Sequence, residues 1–195
     1  APLEKEVMLV QSNGIAQWLK LAFAADPDEG GCGIAAALDM SLPSRFLWQV
    51  YRAVLGTEAV PAVSPFDKAP LTWRLMRMLP ALLDAPGYAP LKRFMAQDDD
   101  QRKRYQLAQR VADLFDQYQV YRADWLAAWA AHDDVVIDAR NNRVPLADDA
   151  RWQAALWRAL LADVSVSAPD GSALALTGRA AVHELFMERA QAWQE

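Results

Sequence analysis

Val7-Met8-Leu9-Val10, then Gln11-Ser12-Asn13-Gly14, then Ile15-Ala16-Gln17-Trp18-Leu19-Lys20-Leu21-Ala22-Phe23 is the stretch that decides the fold. The first four residues form an apolar run with two β-branched members, the pattern of a buried strand. The next four are turn formers that offer a hydroxyl or amide to cap a helix. Ile15, Trp18, Leu19, Ala22 and Phe23 then recur at helical spacing. The unit reads as strand, polar turn, helix. A strand apolar on both faces belongs in a parallel-type sheet, and its backbone groups need partner strands. The chain is therefore expected to be a piece of a larger α/β protein.

Strand, polar loop and helix also make up an ATP-binding P-loop. That loop needs several glycines to wrap phosphate and a lysine at the helix start. Here Gln17 and Trp18 stand where the Lys and Ser/Thr would be sought, and Gly14 is the only glycine. The segment has the outline of a nucleotide site without its phosphate-binding groups.

Outward from this unit the pattern turns helical. A second short strand fits within 35–42, stopped by Pro43, and Ser44 is a candidate cap for a helix over 45–55. A Pro-bearing linker covers 56–69. Leu71, Leu75, Met78, Leu79 and Leu82 share one face of a helix over 70–83, which Pro80 is expected to kink or end. A shorter helical segment covers 88–95. Asp98-Asp99-Asp100 precedes the strongest helix, 101–121, as suits the positive end of a helix dipole. Its expected apolar stripe is Leu107, Val111, Leu114, Tyr118 and Tyr121. Asp124 is a candidate cap for a helix over 125–131. Val135-Val136-Ile137-Asp138 and Arg143-Val144-Pro145-Leu146 read as loop or as a small hairpin, which Pro145 restricts to an edge. Helix over 150–164, loop over 165–175 and helix over 178–194 complete the chain. The fold class is mainly α with a few short strands. The organisation expected is an α/β portion at 1–60, a helical region at 61–131, and a loop or hairpin followed by two helices at 132–195.

The 195 residues are 53% hydrophobic and 23% charged, as in an ordinary globular protein. No run approaches the twenty apolar residues of a membrane span, and the first residues do not have the pattern of a signal peptide. The single cysteine, Cys32, excludes an internal disulfide and a cysteine-rich metal site, and a reducing cytoplasm is the expected setting. A net charge of −5 argues against non-specific nucleic-acid binding, which relies on excess cations. A nucleic-acid role has to come from a local patch or from side chains that read bases. Arginine outnumbers lysine, which suits fixed bidentate contacts and also suits a GC-rich genome. The eight tryptophans fall mostly in helical patterns, so core packing is their default reading.

Catalytic chemistry finds little to work with. His132 and His183 belong to no ligand-spaced cluster. Three adjacent aspartates, 98–100, cannot all face one ion from a helix or strand. Cys32 has no evident base. Asp113 and Asp116 lie one helical turn apart, an arrangement open to acid–base chemistry and more simply read as a solvated face. No cofactor and no metal is expected.

Three ordered strings carry a resemblance. Val10-Gln11-Ser12-Asn13-Gly14-Ile15-Ala16-Gln17-Trp18-Leu19 is one, and Leu42-Pro43-Ser44-Arg45-Phe46-Leu47-Trp48 is the second. Ala112-Asp113-Leu114-Phe115-Asp116-Gln117-Tyr118-Gln119-Val120-Tyr121-Arg122-Ala123-Asp124-Trp125-Leu126 is the third. Together they resemble the RecC family, the gamma subunits of exodeoxyribonuclease V, across nearly the whole chain and most weakly over 131–177. The resemblance implies the early part of a superfamily 1 helicase-like α/β domain without a functional P-loop, with residues 1–60 as part of that core. It implies a subunit that is non-catalytic by itself and works with RecB and RecD in DNA recombination and repair. It also implies contact with the emerging single strand and a share in recognising the regulatory sequence Chi. The DNA-reading residues it implies are Gln11, Asn13, Gln17, Leu42, Trp48, Asp113, Leu114, Asp116 and Arg122, with Arg179 in Gly178-Arg179-Ala180. Asn13 and Ala123 depart from the family pattern, where Thr and Pro are usual. The alternative role is a helical docking module that assembles the complex without touching DNA.

Overall fold

The structure, a computed structural model, describes residues 4–96, 101–167 and 178–192. The chain divides into two compact units, 1–57 and 58–195.

In the first unit, strand β1 (Glu6–Leu9) leads into helix α1 (Asn13–Ala24), strand β2 (Leu38–Ser41) and helix α2 (Pro43–Leu55). The strands pair in parallel, with Glu6 opposite Leu38 and Leu9 opposite Ser41. Bonds from Glu6 N to Ala37 O (2.8 Å) and from Val10 N to Ser41 O (3.0 Å) extend the ladder at both ends. Ser12 caps α1, its Oγ accepting from Ile15 N at 3.2 Å, a contact typically worth about 1 kcal/mol. The loop after α1 folds back onto the helix end through Cys32 N to Phe23 O and Gly33 N to Ala25 O, both 2.9 Å. A Cβ at Gly31 would sit 2.0 Å from the Ala25 carbonyl oxygen, so this close approach requires glycine.

Two expectations are corrected in this unit. β1 is not buried: Val7 and Leu9 are each 51% exposed, because β2 alone pairs with it among the described residues. Ser44 is not a cap. The helix starts at Pro43 with Leu42 before it, since proline's fixed φ suits a first helical turn whose N–H groups lack intrahelical partners.

The second unit holds helices α3 (Lys68–Leu82), α4 (Ala89–Met95), α5 (Arg102–Tyr121) and α6 (Ala123–Ala130). Strands β3 (Val135–Ile137) and β4 (Arg143–Pro145) follow, then α7 (Arg151–Ser167) and α8 (Gly178–Gln191). Leu71, Leu75 and Leu79 of α3 join Leu107, Val111 and Phe115 of α5 in the core. Each such burial contributes about 1.5–3 kcal/mol. Trp157 of α7 meets Phe66 and Phe115 with ring centroids 5.2 and 5.4 Å away. Trp129 is fully buried, and its indole N–H donates to Val135 O at 2.7 Å. The buried Gln119 amide donates to Phe66 O at 3.0 Å, which ties α5 to the segment before α3. α3 continues through Pro80 to Leu82.

The buried stripe of α5 differs from the expected one. It comprises Leu107, Ala108, Val111, Ala112, Phe115 and Gln119, while Leu114 and Tyr118 are half-buried and Tyr121 is 77% exposed. The alanines let α3 approach closely and rotate the large residues at 114 and 121 off the seam. Asp124 lies in the first turn of α6 instead of capping it. The hairpin forms, with Val136 opposite Val144. Its turn is organised by Asp138 Oδ1, which accepts from the Arg140 and Asn142 amides at 2.8 Å each. The Asn142 side chain foremost, then these amides, hold the Asp138 carboxyl below its ordinary pKa. Core packing is the outcome for Trp129 and Trp157, whereas Trp18 and Trp73 are 66% and 65% exposed. Asp98-Asp99-Asp100, most of the 165–175 loop and Trp193 lie outside the described residues.

Candidate nucleic-acid interface

The first group of expected site residues gathers at one edge of the two-stranded sheet. Gln11 follows β1, Asn13 opens α1 and Gln17 lies one turn further; all three are exposed. Ser12 between them turns its hydroxyl back into the helix as the cap. Because Leu9 pairs with Ser41, both strands end level, and Leu42 and α2 start beside Gln11 and α1. Leu42 is half-buried. Trp48 lies about 9 Å further along α2, half-buried, with its ring edge-on to Tyr51 at 6.3 Å. Burial raises the pKa of the Tyr51 hydroxyl, so it stays protonated. The carboxyl edge of a parallel sheet is where open α/β folds place ligands. This edge presents Gln and Asn amides, each with a donor and an acceptor, and a partly covered indole. Such groups suit base edges and base faces better than phosphate.

The second group lies on α5 and after it. Asp113 pairs with Lys68 of α3, the two side chains 50% and 51% exposed. Asp116 is half-buried on the same face one turn later, and Leu114 is half-buried about a quarter-turn round the helix. The structure thus brings Asp113 and Asp116 together. It sets Arg122 apart, at the joint between α5 and α6. The Arg122 guanidinium lies 3.9 Å above the Trp125 ring. Its Nε and Nη2 donate to Asp124 at 3.2 and 3.0 Å, and Nη2 also donates to the Ile137 carbonyl. Trp125 donates to that same carbonyl at 2.9 Å. Arg122 therefore holds the helix joint to the hairpin, a role its sequence context did not reveal. Arg179 belongs to the first turn of α8, and its side chain lies outside the described residues.

Sequence reasoning also passed over an exposed aromatic pair, Trp73 of α3 and Tyr105 of α5. The available signal was position: Trp73 falls off the Leu71, Leu75, Leu79 stripe. Among the described residues, no group of three or more His, Cys, Asp or Glu is arranged to hold a metal ion. No helix among them is long and apolar enough to cross a membrane.

The whole chain, residues 1–195, matches the sequence model of the family described as "RecC, N-terminal domain". It is 35% identical over 198 residues to the RecBCD enzyme subunit RecC of Haemophilus influenzae, covering 95% of this chain and 17% of that protein. It is 41% identical over 160 residues to the RecBCD enzyme subunit RecC of Escherichia coli, covering 82% of this chain and 13% of that protein. Similarity to the Mycobacterium tuberculosis subunit is 27% over 180 residues. The chain thus spans less than a fifth of the length of these relatives.

Proposed function

The chain belongs to the RecC N-terminal domain family, and from that premise we propose that it is the DNA-reading portion of a RecC-type subunit in an exodeoxyribonuclease V complex. In this reading the subunit works with RecB and RecD partners in recombinational repair of double-strand breaks, in the cytoplasm. It contributes no catalytic group of its own. It contacts the single strand that leaves the unwound duplex and takes part in Chi recognition. The helicase-like ancestry fits the β1–α1 loop, where a serine cap occupies the helix start and lysine is missing.

The observation that carries the proposal is the exposed trio Gln11, Asn13 and Gln17 at the carboxyl end of β1. Three neutral amides on an acidic chain make little sense as a phosphate grip and good sense as readers of base edges. Trp48 supplies a ring on which a neighbouring base stacks. Asp113 and Asp116 accept from cytosine amino groups where bases, not phosphates, face the helix.

A docking role has its own support in the exposed apolar residues Val7, Leu9, Trp18 and Leu21. The two roles separate in the full-length subunit assembled with its partners. Gln17→Ala removes an exposed amide without touching the core, so folding and co-purification stay normal. DNA reading then predicts loss of the response to Chi with unwinding intact. An unchanged response rejects the reading. Arg122→Ala is the poorer variant, because it breaks the joint between α5, α6 and β3.

A further inference from the structure

Asn13 and Gly14 form the only asparagine–glycine pair in the chain. The fold has no steric need for glycine here. A Cβ at residue 14 would sit 3.7 Å from Ser12 Oγ, an ordinary contact, inside a helix that alanine favours. What glycine does supply is an unhindered backbone nitrogen next to an asparagine side chain. Both residues are exposed to water.

Position in the helix leaves that nitrogen available. Gly14 is the second residue of α1, where backbone N–H groups have no intrahelical acceptor. The nearest capping group, the Ser12 hydroxyl, accepts from Ile15 instead. Two bonds hold the turn in helical geometry: Ile15 N to Ser12 Oγ at 3.2 Å and Ala16 N to Ser12 O at 3.1 Å. Both lie in the first turn, and helix ends open most readily. Once these bonds open, the backbone at Asn13 can turn and bring the Gly14 nitrogen to the Asn13 side-chain carbonyl carbon.

The other two asparagines are held. The backbone N–H of Asn142, the group that would attack Asn141, donates to Asp138 Oδ1 at 2.8 Å. The Asn142 side chain donates to Asp138 Oδ2 at 3.0 Å, and the residue after it is Arg143, whose side chain crowds the attacking nitrogen.

We propose that Asn13 is a self-modification site: it deamidates through the Gly14 nitrogen and leaves a carboxylate at the start of α1. The Gly14 nitrogen attacks Asn13 Cγ and gives up its proton. A bond from Cγ to that nitrogen forms, the bond from Cγ to Nδ2 breaks, and ammonia leaves carrying the proton. Water then opens the succinimide ring at either carbonyl, giving aspartate or isoaspartate at position 13. Water is the sole co-reactant. The positive end of the helix dipole favours the new charge. The amide both donates and accepts, whereas the carboxylate only accepts, so the reaction changes one of the three amides at the end of β1. Its effect on DNA rests on the function proposed above.

The test holds the full-length subunit, assembled with its partners, in mildly alkaline buffer before tryptic digestion and mass spectrometry. Peptide 6–20, in which Asn13 is the only asparagine, should gain about 1 Da with time. Fragment ions should place the gain at residue 13, and Asn141 and Asn142 should not change over the same period. Gly14→Ala should slow the gain roughly tenfold. Ser12→Ala, which removes the cap, should speed it about fivefold. No gain at residue 13 in the wild type, over a time in which the free peptide deamidates, overturns the site. So does an equal rate in Gly14→Ala. Asn13→Asp in the assembled complex reads the consequence separately and should lose the response to Chi. A normal response there leaves the modification standing and removes Asn13 from the readers.

Discussion

The two units of this chain treat their apolar residues in opposite ways. Unit 58–195 packs its large side chains into one core built on Phe66, Leu75, Phe115, Trp129 and Trp157. Among its described hydrophobic residues, unit 1–57 buries only Val10 and Tyr51, and it exposes Val7, Leu9, Trp18, Leu21 and Ile34. Yet the first unit carries the clearest strand signal in the sequence, the apolar run Val7-Met8-Leu9-Val10. Hydrophobic periodicity names the face of an element that wants cover. It does not say whether the same chain provides it.

The largest expected effect sets one tryptophan against the other. Trp129→Ala leaves a cavity in the core and an unmade bond at Val135 O, at a cost of about 3–5 kcal/mol. Trp18→Ala, with two-thirds of its surface already in water, should stay within about 0.5 kcal/mol. Hydrogen exchange on this chain reads both locally. Amides of α5, α6 and α7 should lose protection in the first variant, and none should change in the second. A cost at Trp18 comparable to that at Trp129 breaks the comparison, because it shows that α1 is covered.

The same contrast explains what was legible in the sequence. Ser12 was readable as a cap because a hydroxyl three residues before an amide needs nothing from elsewhere in the fold. The hairpin was readable because Asp138 and Asn142 organise their own turn. The seam of α5 was not, since Ala108 and Ala112 are buried for their smallness, and only the approach of α3 reveals that. Arg122 was named in the sequence only as a DNA-reading residue implied by the resemblance. Its acceptors, Asp124 and the Ile137 carbonyl, lie beyond the helix and partly on a strand fifteen residues away. Gln11, Asn13 and Gln17 entered as a group through the family resemblance, while the way β2 brings Leu42 beside them depends on strand register.

A second test sharpens the account of the core unit through pH. Asp163 is largely buried, which works to raise its pKa. Hydrogen bonds from Arg77 and Arg74 outweigh that effect and hold it below the ordinary carboxylate value. A carboxyl whose pKa is lowered by folding stabilises the fold fully at pH above its unfolded value, about 3.9. That stability is lost as pH falls through the lower folded value. Acidification should therefore loosen the tie between α3 and α7 only under strongly acidic conditions. Asp163→Asn should lower protection of both helices at neutral pH and flatten its acid dependence. An acid response identical to wild type in that variant removes Asp163 from the account.

The smallest expected effect is at Lys68 and Asp113, and its smallness is what makes it useful. Both side chains are half exposed, so the pair contributes about 0–1 kcal/mol whatever its geometry. Lys68→Ala should leave protection of α3 and α5 unchanged, as Gln17→Ala does for α1. The variant nevertheless alters what Asp113 offers: the carboxylate keeps its charge and loses its cation. If Asp113 accepts from a base, the response of the assembled complex to Chi should change while folding does not. If the pair is only a surface strut, neither should change. A marked loss of stability would instead place Lys68 and Asp113 with the core unit's structural ties, leaving the exposed amides of the first unit as the remaining readers.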